Sequence, residues 1–170
     1  MLADELRALQ APLKEKYKTQ PGQALVTLRA SGSLDPSGVS CRVDTGRALV
    51  EAGLHPATGG SGMQACSGDM LLEALAACAG VTLRAVATAL EIPVRGGSIE
   101  IEGDLDFRGT LGVSKEVAVG FLAIRLRLDL DSDASKEQLD TLLKLTERYC
   151  VVLQTLRSPP RVSLTVGMHG

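Results

Sequence analysis

Apolar residues alternate with polar ones in two stretches of the chain and recur at helical steps in two others. GSIEIEGDLDF (97–107) sets Ile99, Ile101, Gly103, Leu105 and Phe107 against Glu100, Glu102, Asp104 and Asp106. LAIRLRLDL (122–130) alternates Leu or Ile with charged residues in the same way. A period of two with one charged face predicts half-buried antiparallel strands, one face on the core and one in water. The phase slips between Val117-Val119-Phe121 and Leu122-Ile124, which predicts a β-bulge at that point.

The longest helical signal runs from Ser67 to Leu90. Leu71, Leu75, Cys78, Thr82, Ala85 and Ala89 recur at three- and four-residue steps and make one face. Leu72, Ala76, Val81, Leu83 and Val86 occupy other faces, so the helix is apolar nearly all round. Such a helix is expected to be buried, against a sheet or a partner subunit. Ser67 or Asp69 is the expected cap and Pro93 the stop. A second helix is predicted from Ser135 to Leu156, with Ser135 and Gln138 as a capping box. Its apolar face carries Leu139, Leu142, Leu143, Thr146, Tyr149, Cys150 and Leu153, and Pro159-Pro160 ends it.

The remaining elements are shorter. Leu2, Leu6, Leu9 and Leu13 predict an amphipathic helix over 2–18, interrupted at Pro12. ALVTLRAS (24–31) reads as a strand, SLDPSG (33–38) as a turn and GVSCRVD (38–44) as the returning strand. RALVEAG (47–53) is a third strand, HPATGGSG (55–62) a glycine-rich loop, and RVSLTV (161–166) a last strand. This order predicts an α+β domain over 21–170, helices packed on an antiparallel sheet, behind a helical extension over 1–20.

Composition narrows the function. Aromatics are 2% of the 170 residues, so the stacking platforms of single-stranded nucleic-acid binders are excluded. A net charge of −2 offers no pull on phosphate backbones or anionic membranes. The N-terminus mixes acids and bases without a signal-peptide core, and no membrane span is expected. The four cysteines (41, 66, 78 and 150) then read as reduced intracellular thiols, which predicts a cytoplasmic protein.

Most candidate chemistries fall on spacing. Cys41, His55 and Cys66 match no zinc pattern, and neither metal nor cofactor is expected. GSGMQA (60–65) lacks the leading strand of a dinucleotide loop and the Gly-Lys-Ser/Thr of a P-loop. Gly60-Ser61-Gly62 is not a hydrolase elbow. The thiols remain. Cys78 and Cys150 each lie on the apolar face of a long helix, so the two sulfurs can meet in the core. On the residues alone, two packed cysteines and a redox pair both stand, since buried cysteine commonly serves as a small hydrophobe.

DMLLEALAAC (69–78) resembles the central-helix motif of the OsmC/Ohr family, which leads from an acidic start through Leu-Leu-x-Ala-Leu to a first cysteine. TERYCVVLQTL (146–156) is similar to that family's second-cysteine motif, with Val151 where the family has proline. The resemblance covers about residues 24–166 and implies an intertwined homodimer with active sites at the subunit interface. It implies a thiol peroxidase in which Cys78 attacks an organic hydroperoxide and Cys150 resolves the sulfenic acid as a disulfide. A dithiol reductant, often lipoyl-linked in that family, resets the pair. The family's activating arginine is held by an acidic residue, here Asp69; Glu73 lies about 140° round the helix from Cys78. The turn SLDPSG has no arginine, and Arg29 and Arg42 on the flanking strands are the substitutes. The other reading is a catalytically silent member that binds an apolar small molecule at the dimer interface. Cys66, ahead of the central helix, has no assigned role.

Overall fold

The computed structural model describes residues 2–5, 7, 8, 10, 11, 19, 31–34, 40–44, 49–112 and 114–167. The described positions between 3 and 11 are helical, whereas the expected strand over 24–30 and the boundary at residues 20 and 21 lie outside the described residues. The architecture is α+β, as the pattern predicts, but the strands form two sheets where the sequence suggested one.

In the first sheet, β1 (Ser31–Leu34), β2 (Ser40–Asp44) and β3 (Leu49–Gly53) run antiparallel in chain order. The short β4 (Ala65–Cys66) adds to β3 in parallel, pairing Ala52 with Ala65 and Gly53 with Cys66. Ser33 and Leu34, expected in the turn, belong to β1, because Leu34 pairs with Cys41. The glycine-rich loop contains one 3-10 turn at Pro56–Thr58, capped by His55, whose Nδ1 accepts the Ala57 N–H at 3.0 Å.

The long helix α1 (Ser67–Ala89) forms where its period predicts. Its cap does not: Cys66 occupies the N-cap without a side-chain bond, and Ser67 and Asp69 lie inside the first turn. The helix ends before Pro93 with Glu91 in the left-handed region at φ 55°. The side chains it buries, Leu75, Ala79, Leu83 and Ala87, repeat every four residues, one row round from the expected face. Leu71 and Ala89 are exposed and Val81 is 72% exposed, so a single chain does not bury this helix all round. By length and apolar composition α1 is also long enough to cross a membrane; here its buried row packs on a sheet and a helix.

The second sheet is the hairpin of β5 (Gly96–Asp104) and β6 (Ala123–Asp131), in which Ile99, Ile101, Ile124 and Leu126 face the core. On the outer face Arg125 pairs with Glu102 at 3.1 Å and also with Asp104, while Arg95 pairs with Asp131 and Asp133. Exposed pairs of this kind contribute about 0–1 kcal/mol each, so they favour the register more than the stability. β5 stops earlier than expected, because Asp106 accepts the Arg108 N–H at 3.0 Å and caps the short α2 (Phe107–Thr110). The expected bulge is instead a loop: residues 117–122 leave the sheet and β6 begins at Ala123. The Phe121 ring lies against Gly103, where an added Cβ would come within 2.4 Å of it.

The second long helix divides. α3 (Lys136–Tyr149) and α4 (Val151–Arg157) meet at Cys150, which has φ −71° and ψ 106°. The Ser135–Gln138 capping box forms as expected. Residues 161–166 do not form the last strand: they pair with no described residue, and Leu164 is 93% exposed. Among the described residues the core comprises two clusters, one of Leu83, Ala87, Ile92 and Leu142, the other of Leu75, Ala79 and Cys150.

Candidate active site

The break at Cys150 brings the two motif cysteines together. The Cys150 N–H closes α3 on the Thr146 carbonyl at 2.9 Å, and its own carbonyl accepts the Gln154 N–H at 2.9 Å to open α4. Two β-branched residues, Val151 and Val152, follow the break, and stiff side chains of that kind weaken continuation of a helix. A new helix start leaves its first N–H groups without partners inside the helix. Those of Val151 and Val152 favour the thiolate form of Cys78.

Cys78 sits on α1, half-buried, and Cys150 is fully buried against Leu75 and Ala79. Burial pushes the Cys78 thiol up, but four bonds outweigh it and leave it below the ordinary thiol range. They come from the Val152 N–H, the Cys150 thiol, the Val151 N–H and the Thr82 hydroxyl one turn along α1. Each is a donor that favours the thiolate over the thiol. Cys150 moves the other way. Burial raises it first, the Leu153 N–H offsets part of that, and its bond to Cys78 holds its proton in place. Cys78 is therefore the sulfur that ionises first, and Cys150 the one that stays protonated.

Of the site residues expected from sequence, the structure joins Cys78 and Cys150 and leaves Asp69 apart. Asp69 is exposed in the first turn of α1, nine residues and about 14 Å of helix before Cys78, and makes no hydrogen bond or ion pair with a described residue. Its expected role depends on an arginine; Arg29 lies outside the described residues, as does the side chain of Arg42. Among the described residues no cation contributes to the lowering of Cys78. Cys66 stays at the far end of α1 beside Gly68, near Phe121 and Leu105. The groups that sequence reasoning missed are the backbone N–H pair of Val151 and Val152 and the Thr82 hydroxyl. The Val-Val step after Cys150 was the available signal.

A cavity of about 790 Å³ adjoins the pair. Leu75 and Ala79, which pack on Cys150, also form one of its walls, and Phe121, Leu126, Leu153 and Leu156 form others. The thiols and the cavity thus share a thin apolar partition.

Residues 60–165 match the family described as OsmC-like protein. That match covers more than half of the chain, which belongs to the OsmC-like family. No curated protein matches the chain by sequence. The fold is similar to that of an OsmC-like protein from Mycoplasma pneumoniae, at 16% identity over 79% of this chain and 89% of that one, with a TM-score of 0.65. It is similar also to the organic hydroperoxide resistance protein OsmC from Legionella pneumophila, at 18% identity over 79% and 91%, with a TM-score of 0.61. OhrB, the organic hydroperoxide resistance protein of Bacillus subtilis, aligns at 19% identity over 79% and 93%, with a TM-score of 0.53.

Proposed function

We propose that the protein is a thiol peroxidase that reduces organic hydroperoxides through Cys78 and Cys150. The observation that carries this reading is the packing of Cys78 against Cys150, with the two thiols moved in opposite directions. The names of the Legionella and Bacillus relatives, both organic hydroperoxide resistance proteins, agree with it.

The steps follow from the order of ionisation. The Cys78 thiolate attacks one oxygen of the O–O bond; the S–O bond forms, the O–O bond breaks, and the alkoxide leaves as the alcohol once it takes a proton. Cys78 is now a sulfenic acid. Cys150, already in hydrogen-bonding reach, attacks that sulfur, expels the hydroxyl as water and forms the disulfide. Overall, two thiols and one hydroperoxide give one disulfide, one alcohol and one water. A dithiol reductant, such as a lipoyl group, returns both thiols by exchange, and a cytoplasmic setting keeps them reduced between turnovers.

The reading includes a homodimer. It is supported by apolar surface that one chain leaves bare, including Val81 and Val151 at 72% and 70% exposed, and by the strand-like segment 161–166, which pairs with no described residue. The test is consumption of cumene hydroperoxide with dihydrolipoamide as reductant. Wild-type protein turns over, Cys78→Ser does not, and Cys150→Ser falls to a small fraction of wild type. Equal rates for Cys78→Ser and wild type would remove the proposal.

A further inference from the structure

Cys78 and Thr82 stand four residues apart on α1, the spacing at which helical side chains meet. Both are half-buried, outside the buried row of Leu75, Ala79, Leu83 and Ala87. A threonine inside a helix commonly turns its hydroxyl back to the carbonyl four residues before it. Thr88 and Thr141 do so, donating to the Arg84 and Glu137 carbonyls at 2.8 Å each. Thr82 makes no such bond among the described residues; its hydroxyl acts on the Cys78 side chain, where it favours the thiolate. The other groups that favour that thiolate are committed. The Val151 and Val152 N–H groups are fixed in the backbone, and the Cys150 thiol is the second nucleophile of the cycle. Of these groups the Thr82 hydroxyl is the one that can turn and still stay out of the covalent chemistry. A hydroxyl also accepts as well as donates.

We infer that Thr82 orients the hydroperoxide on Cys78: the Thr82 oxygen accepts the O–H of the peroxide and lays the hydrogen-bearing oxygen, not the alkyl-bearing one, against the sulfur. The inference rests on the peroxidase reading of Cys78 and names the residue that fixes which oxygen is attacked. The S–O bond forms at the hydrogen-bearing oxygen. The electron pair of the broken O–O bond leaves on the alkyl-bearing oxygen, which takes a proton from solvent. The sulfenic O–H keeps its bond to Thr82, which holds that oxygen toward α1 and leaves the sulfur open to Cys150, packed against it. When Cys150 attacks, its proton departs with the hydroxyl as water.

The test uses the full-length reduced protein and two reagents on the same sulfur, cumene hydroperoxide and iodoacetamide. Iodoacetamide has no O–H to offer, and both reagents need the thiolate. The ratio of oxidation rate to alkylation rate at one pH therefore cancels any change in the ionisation of Cys78. In Thr82→Val, which keeps the branched shape, the ratio is expected to fall about three- to tenfold, the worth of one hydrogen bond. In Thr82→Ser, which keeps the hydroxyl, the ratio should stay near that of wild type. An unchanged ratio in a folded Thr82→Val would overturn the inference, as would a Thr82→Ser ratio that falls as far as that of Thr82→Val. Wild-type protein that is alkylated at Cys78 but never oxidised would instead remove the peroxidase reading, and this inference with it.

Discussion

Cys78 packs against Cys150, and that pairing divides the labour of two sulfurs of the same kind, favouring the thiolate at Cys78 and the thiol at Cys150. Cys78 is half-buried and reachable, whereas Cys150 is sealed in the core. A hydroperoxide therefore meets Cys78 first, and the resulting sulfenic acid already has the resolving thiol beside it.

Removing the donor should raise the Cys78 pKa. In Cys150→Ala the pH midpoint of Cys78 alkylation is expected to move up, and in Cys150→Ser, whose hydroxyl still donates, it should move less. In wild-type protein the midpoint lies below the ordinary thiol range, so alkylation persists to lower pH than for a free cysteine. The check is the pH dependence of iodoacetamide labelling, followed by peptide mass. A common midpoint in all three proteins would contradict the assignment of Cys150 as donor.

Gly103 is constrained by the Phe121 ring. Gly103→Ala places a Cβ about where the ring edge sits, so Phe121 must leave its place against β5. Overpacking of this kind costs about 1–3 kcal/mol. A fall in Tm on thermal unfolding is expected, although alanine is otherwise the easier residue in a strand. An unchanged Tm would mean that the ring relocates freely.

Thr146→Val should stabilise the protein. The substitution keeps the shape and deletes a buried hydroxyl that has no partner among the described residues, and a group of that kind costs about 1–3 kcal/mol. The expected result is a higher midpoint in urea unfolding, against the usual direction for a change in a buried position.

Leu75 is fully buried between Cys150 and the cavity wall. Leu75→Ala should cost about 2–5 kcal/mol and open a path from the cavity to Cys150. Labelling of Cys150 by a small maleimide should rise from near zero in the folded state, and calorimetry should show the loss of stability.

The sequence was most legible where one neighbour decides an element. The strict alternation through Ile99, Ile101, Ile124 and Leu126 predicted β5 and β6, and the Ser135–Gln138 box marked the start of α3. The two cysteines were expected to meet in the core and they do, although Cys150 lies at the junction of α3 and α4 rather than within a helix. Less legible was the division at Cys150, because an apolar 3.6-residue period continues across the break and only the backbone angles reveal it. The N–H donors to Cys78 were hidden for the same reason, since a backbone group has no letter of its own. RVSLTV shows the opposite limit: it has the pattern of a strand, but a strand also needs a neighbour, and no described strand pairs with it.

The most direct test of the central claim is the intact mass of the reduced protein after one equivalent of cumene hydroperoxide. Wild-type protein is expected to lose about two mass units as the Cys78–Cys150 disulfide forms. Cys150→Ser should instead gain one oxygen, trapped as a sulfenic adduct by dimedone, and Cys78→Ser should not change. An unchanged mass in wild type, with the thiols confirmed as reduced, would contradict the account and leave Cys78 and Cys150 as core packing.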